Sequence, residues 1–128
     1  MTLLRPAQRG ASLRLMTLTI HRLSGTLGAE IHGANLLAGL SNADFDEIHQ
    51  AFLDHKVIVL RGQHGLSPDQ QKDFARRFGT LNIHPYVKGM DDHPELMEII
   101  KEPDEKTNFG GGWHSDMSFL EEPALGSV

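Results

Sequence analysis

His114 and Asp116 stand two residues apart in Trp113-His114-Ser115-Asp116, behind Gly110-Gly111-Gly112 and ahead of Met117-Ser118-Phe119. Imidazole nitrogens and carboxylate oxygens both ligate divalent metals. On an extended strand alternate side chains share a face, so this spacing lets both donors converge on one ion while Ser115 points away. The pair is expected to form half of a metal site carried on a short strand. His-x-Asp also arises by chance, so the surrounding chain has to carry the reading.

The chain's 128 residues fit one small domain, large enough for a single core but short for an enzyme that must also wall in a substrate. With no cysteine there are no disulfides, thiolate zinc sites or cysteine nucleophiles, which suits a reducing, cytoplasmic setting. Eight histidines leave imidazole and carboxylate as the available metal ligands. A net charge of −5 argues against a nucleic-acid surface, since phosphate binding needs clustered Lys and Arg. No apolar run reaches membrane-spanning length and no secretion signal is present, so a soluble protein without membrane partners is expected. Self-association is left open.

Charge is uneven along the chain. Arg5, Arg9 and Arg14 fall in an acid-free start, and residues 1–15 are read as a disordered or mis-annotated leader before a domain spanning 16–128. Leu18, Ile20 and Arg22 alternate as a first short strand, and Ala29 to Gly33 makes a second. Gly25, Gly28 and Gly33 match no phosphate-binding spacing and read as turn or bulge glycines.

Ser41 caps a helix, with Asp44 in its first turn and Phe45, Ile48, Phe52 and Leu53 as the apolar stripe. His49 and His55 fall on its polar face or fraying end. Lys56 to Arg61 reads as a buried, central strand closed by Gly62. Ser67-Pro68-Asp69-Gln70 starts a second helix, with Phe74, Ala75 and Phe78 as its apolar side, Arg76 and Arg77 as its wet side, and Gly79 as a left-handed stop. Pro85 biases His84 toward an extended conformation. Glu95 to Lys101 is expected as a further strand, and residues 103–109 as a polar loop leading into the glycines. The pattern is α+β, and the chain ends at Val128 on an apolar note, as if interrupted where another strand begins.

Several segments together carry a resemblance. Gly33-Ala34-Asn35-Leu36, the run Val57 to Arg61, Phe78-Gly79-Thr80-Leu81 with Ile83-His84-Pro85, and Trp113-His114-Ser115-Asp116-Met117-Ser118-Phe119 resemble, in order and spacing, the N-terminal half of the taurine dioxygenase family. The resemblance runs from about Leu18 to Val128.

It implies an α+β fold that is the N-terminal half of a double-stranded β-helix, or jelly roll, with two flanking helices. It further implies an iron(II), 2-oxoglutarate-dependent dioxygenase using dioxygen, with His114 and Asp116 as two ligands of a two-His-one-carboxylate face. His84 matches a position that sulfonate-oxidising members turn toward the substrate's anionic group, where a protonated imidazole would suit the charge. Trp113 is expected as a pocket wall or core residue. Members that oxidise taurine tend to carry polar side chains just before the Trp, whereas Gly110, Gly111 and Gly112 offer only backbone. Asn108 could compensate from further back, and the substrate is expected to be a small organic anion: a sulfonate, phosphonate or carboxylate.

The second histidine ligand and the 2-oxoglutarate-binding arginine of the family are expected beyond Val128. Two rival readings stay open. One is a non-catalytic fragment completed by another chain, with His114 and Asp116 structural. The other is a metal-dependent hydrolase using the same ligands.

Overall fold

A computed structural model describes residues 18–128; the expected leader, 1–15, lies outside the described residues. The chain divides into two compact units, one ending at Gln63 and the other running from His64 to Val128. Among the described residues no helix is long and apolar enough to cross a membrane.

The first unit is a small mixed sheet with one helix: β1 (Thr19–Arg22), β2 (Ala29–His32), α1 (Asn42–His55) and β3 (Ile58–Leu60). β1 pairs antiparallel with β2, Ile20 opposite Ile31, and β2 pairs parallel with β3, Ile31 opposite Leu60. The parallel pair is joined through α1, as parallel strands require a crossover. Strand alternation sends Ala29 and Ile31 into the core, while Glu30 on the other face meets Arg61 Nε at 3.1 Å and His32 Nε2 at 3.0 Å.

α1 begins as its sequence dictates. The Ser41 hydroxyl accepts from the Asp44 N–H at 3.1 Å, and the Asp44 carboxylate accepts from the Ser41 N–H at 3.3 Å, so two otherwise orphaned donors are satisfied. It stops at Lys56, left-handed at φ 65°, whose N–H returns to Phe52 O. Phe45, Ile48 and Ala51 form the buried stripe, which packs on β2 and β3.

Two expectations for this unit are corrected. Leu53 lies five residues beyond Ile48, about 140° round the helix, and is exposed, while Phe52 is half-buried. The run from Lys56 to Arg61 holds the outer strand β3 and not a central one; the central place belongs to β2.

Gln63 closes the unit by imitating a strand backbone. Its Oε1 accepts from the Leu36 N–H and its Nε2 donates to the Ala34 and Arg61 carbonyls, each at 2.9 Å. Gln63→Ala leaves these backbone groups to find water, at about 1 kcal/mol each for the part-buried pair. A loss of about 2 kcal/mol in urea-unfolding stability is expected, with Gln63→Glu retaining only the Leu36 bond.

The second unit contains α2 (Pro68–Arg76), capped by Ser67 with Gln70 in the reciprocal position. Gly79 is not the left-handed stop expected of it. The helix instead ends by tightening, the Arg77 N–H reaching Phe74 O at 3.1 Å and the Phe78 N–H reaching Ala75 O at 3.0 Å. Phe74 is buried and meets the Phe78 ring edge-on at 5.3 Å. Lys72 is 8 % exposed, its ammonium 3.3 Å from Asp69 and 3.8 Å from Glu95. The long methylene stem packs while the charge finds carboxylates.

Residues 79–128 hold no helix or strand. The strand expected over Glu95–Lys101 is a loop. Its backbone bonds turn inward, Met90 N–H to Leu96 O at 2.8 Å and Leu96 N–H to His93 O at 2.9 Å, instead of joining a ladder. Gly89 sits so close beneath it that a Cβ there would lie 2.2 Å from Pro94 O.

Candidate metal site

The residues from Trp113 to Phe119 form a loop and not the strand their alternation suggested. Two left-handed residues bracket the motif, Gly110 at φ 67° and Met117 at φ 47°. A positive φ turns the chain out of the extended region, and no strand among the described residues pairs with this segment. The convergence of donors survives by another route. His114 Nε2 lies 3.1 Å from Asp116 Oδ1, while His114 Nδ1 lies 2.7 Å from the Gly112 carbonyl.

Those two distances define what the pair can do. Cis ligands on an octahedral ion with bonds of about 2.1 Å are separated by about 3 Å, so Nε2 and Oδ1 already stand at a ligand–ligand spacing. The Gly112 carbonyl occupies the other ring nitrogen, as backbone carbonyls commonly do behind metal-bound histidine. The residues therefore fit a divalent ion, and His114 and Asp116 are both open to solvent for it to enter. No third His, Asp or Glu joins them among the described residues.

The hydrogen bond to Gly112 and, after it, the Asp116 charge raise the His114 pKa above its ordinary value, with burial opposing slightly. A raised folded-state pKa means the contribution to stability is complete below the ordinary histidine pKa and lost as pH rises through the raised one. Solvent exposure keeps that contribution small. In NMR titrations Asp116→Asn is expected to lower the His114 midpoint only partway, because the larger cause, the backbone bond, remains.

The other expected site residues are not gathered to the pair. His84 is half-buried, and its Nδ1 accepts from the Tyr86 and Val87 N–H groups at 3.1 and 3.0 Å. With Nδ1 accepting from the backbone, Nε2 is the ring atom left to face a ligand. Asn108 accepts the Gly111 N–H on its backbone carbonyl at 3.1 Å and lines an open cleft of about 470 Å³ with Ile99, Ile100, Lys101, Glu105, Thr107 and Phe109. Trp113 is fully exposed among the described residues and is not part of their core, nor does it line that cleft.

Tyr86 is a residue the sequence did not single out. Its ring stands 6.3 Å from that of His84 and 5.9 Å from that of Phe119, linking the His84 loop to the end of the metal motif. An aromatic two residues past the histidine was the available signal.

Comparisons with known proteins bear on this geometry. The family model described as taurine catabolism dioxygenase TauD, TfdA family matches residues 19–128. The chain is 34% identical over 113 residues to an alpha-ketoglutarate-dependent sulfate ester dioxygenase of Pseudomonas putida, covering 88% of this chain and 36% of that protein. It is 46% identical over 121 residues to a (S)-phenoxypropionate/alpha-ketoglutarate-dioxygenase of Delftia acidovorans, covering 88% and 41%. Among solved structures, a taurine dioxygenase from Burkholderia xenovorans superposes with a TM-score of 0.55 at 32% identity, covering 60% of this chain and 28% of that one. The chain thus spans well under half the length of each of these proteins.

Proposed function

The chain belongs to the TauD, TfdA family, and from that premise we propose that His114 and Asp116 are two protein ligands of an iron(II) ion in a 2-oxoglutarate-dependent dioxygenase. The observation that carries the reading is the 3.1 Å spacing of His114 Nε2 and Asp116 Oδ1, backed by the Gly112 carbonyl. When bound, the ion together with 2-oxoglutarate and dioxygen supplies the oxidising power for attack on an unactivated C–H bond.

The chain's own residues hold and orient. Asp116 partly neutralises the ion's charge and favours oxygen-rich ligation. His114 completes the pair with a ring whose orientation is fixed from behind by Gly112. The substrate class is a small organic anion. The sulfate ester and the phenoxypropionate named for the two relatives are both anionic groups on an organic body. His84, its Nδ1 taken by the backbone, offers Nε2 to such an anion, and Asn108 an amide from its cleft. The fold proposed for the whole is a jelly roll of which this chain forms the N-terminal part, acting in the cytoplasm.

The test is anaerobic equilibrium dialysis against iron(II), followed by aerobic assay with 2-oxoglutarate and candidate sulfate esters, sulfonates and aryloxy acids. Weak binding of one iron per chain is expected, without succinate formation by the isolated 128 residues, since the described residues gather only two donors. Oxygen-independent hydrolysis that His114→Ala abolishes would replace this reading with a hydrolase.

A further inference from the structure

The three glycines ahead of Trp113 bring no side chain to a substrate, yet the His114 ring rests on them. Gly110 is left-handed, and a Cβ at that position would lie 3.3 Å from His114 Cε1 and 3.8 Å from Nε2. The turn is closed by the Gly111 N–H on Asn108 O at 3.1 Å. Its far end presents the Gly112 carbonyl to His114 Nδ1 at 2.7 Å.

We infer that Gly110 is a positioning residue: its missing side chain is the space in which the His114 imidazole lies, and the turn it permits makes Gly112 claim the Nδ1 proton, so that only Nε2 is offered to the metal. The inference rests on the proposed metal role of His114 for its purpose but not for its geometry. A side chain at 110 has two effects that act together. It disfavours the left-handed turn, and it pushes against the ring edge that carries Nε2. Either displaces Nδ1 from the carbonyl, and a solvated neutral imidazole is then free to carry its proton on Nε2, the atom that must be bare to ligate. Exposure of the pair makes this control necessary, because no packed core holds the ring.

The test uses the 128-residue chain labelled with 15N-histidine and read by NMR of the ring nitrogens. In metal-free Asp116→Asn, with the competing carboxylate removed and the ring neutral, His114 is expected to be protonated on Nδ1. Adding Gly110→Ala is expected to move most of that proton to Nε2. Gly65→Ala is the control. Gly65 is also left-handed, at φ 80°, but a Cβ there meets nothing within 4 Å, so it carries the backbone penalty without touching the ring.

With Asp116 restored and zinc added, Nε2 is expected to take the metal in the parent chain, and Gly110→Ala to weaken zinc binding about tenfold, in the range found for lost outer-shell support. Retention of the Nδ1 proton in Gly110→Ala, or an equal shift in Gly65→Ala, overturns the inference. A metal-free result as expected, with no zinc-dependent change at His114, would overturn the metal reading beneath it while leaving the turn's control of the proton demonstrated.

Discussion

Replacing His114 with alanine is expected to lower the chain's affinity for cobalt(II), an air-stable stand-in for iron(II), by more than about 100-fold. Loss of outer-shell support alone costs roughly 10–100-fold at metal sites, and this change removes a ligand and the object of that support together. Asp116→Ala should cost as much. The double variant should be little worse than either, because the two donors act as one chelating unit held at 3.1 Å and neither binds appreciably alone. His84→Ala should leave affinity unchanged, since its ring is engaged with the Tyr86 and Val87 backbone. Calorimetry at fixed pH reads the parent and all four variants. A His114→Ala affinity within threefold of the parent would remove the site.

The second large effect lies in the other unit. Among the described residues Ile48 and Ile31 are the fully buried large side chains, one on α1 and one on the central strand. Ile48→Ala is expected to destabilise by about 3 kcal/mol, within the roughly 2–5 kcal/mol found when a buried isoleucine or leucine is truncated and the cavity stays open. The buried apolar set among the described residues of the first unit is small: Ala29, Ile31, Phe45, Ile48 and Ala51. A loss of that size is a large share of what such a core supplies. Leu53→Ala, on the same helix but exposed, should cost well under 1 kcal/mol. Urea midpoints with unchanged slopes would confirm the contrast, and equal losses at 48 and 53 would refute the assignment of the buried face.

Short-range rules made the helices legible. Ser41 with Asp44 and Ser67 with Gln70 fix two starts through bonds between residues three apart, and the structure keeps both. Strands depend on a partner from anywhere in the chain, and there the reading failed in graded fashion. β2 and β3 formed, but the central place expected for β3 belongs to β2, because the hydrophobicity of Val57 to Leu60 says nothing of how many neighbours it has. Glu95 to Lys101 has strand composition and no ladder.

At the site, the residue types and spacing of His114 and Asp116 were legible and their backbone was not. The donors meet through a loop bracketed by positive φ at Gly110 and Met117, which no alternation pattern encodes. The glycines read as a lack of side chains and turn out to shape the histidine. Burial of Lys72 between Asp69 and Glu95 was invisible too, since it depends on where the loop after α2 returns.

The outer position of β3 bears on how the chain behaves in a tube. Its three apolar residues, Ile58 to Leu60, are joined to one sheet neighbour only among the described residues, and Val57 just before them is half in solvent. An open edge of that composition recruits copies of itself, and charged residues at its ends are the usual restraint. Lys56 and Arg61 stand at those ends. They act as gatekeepers of colloidal behaviour: neutralising Lys56 lowers the protein concentration at which light scattering begins to climb, and neutralising Arg61 does so while also lowering the unfolding midpoint, since it strips Glu30 of its partner.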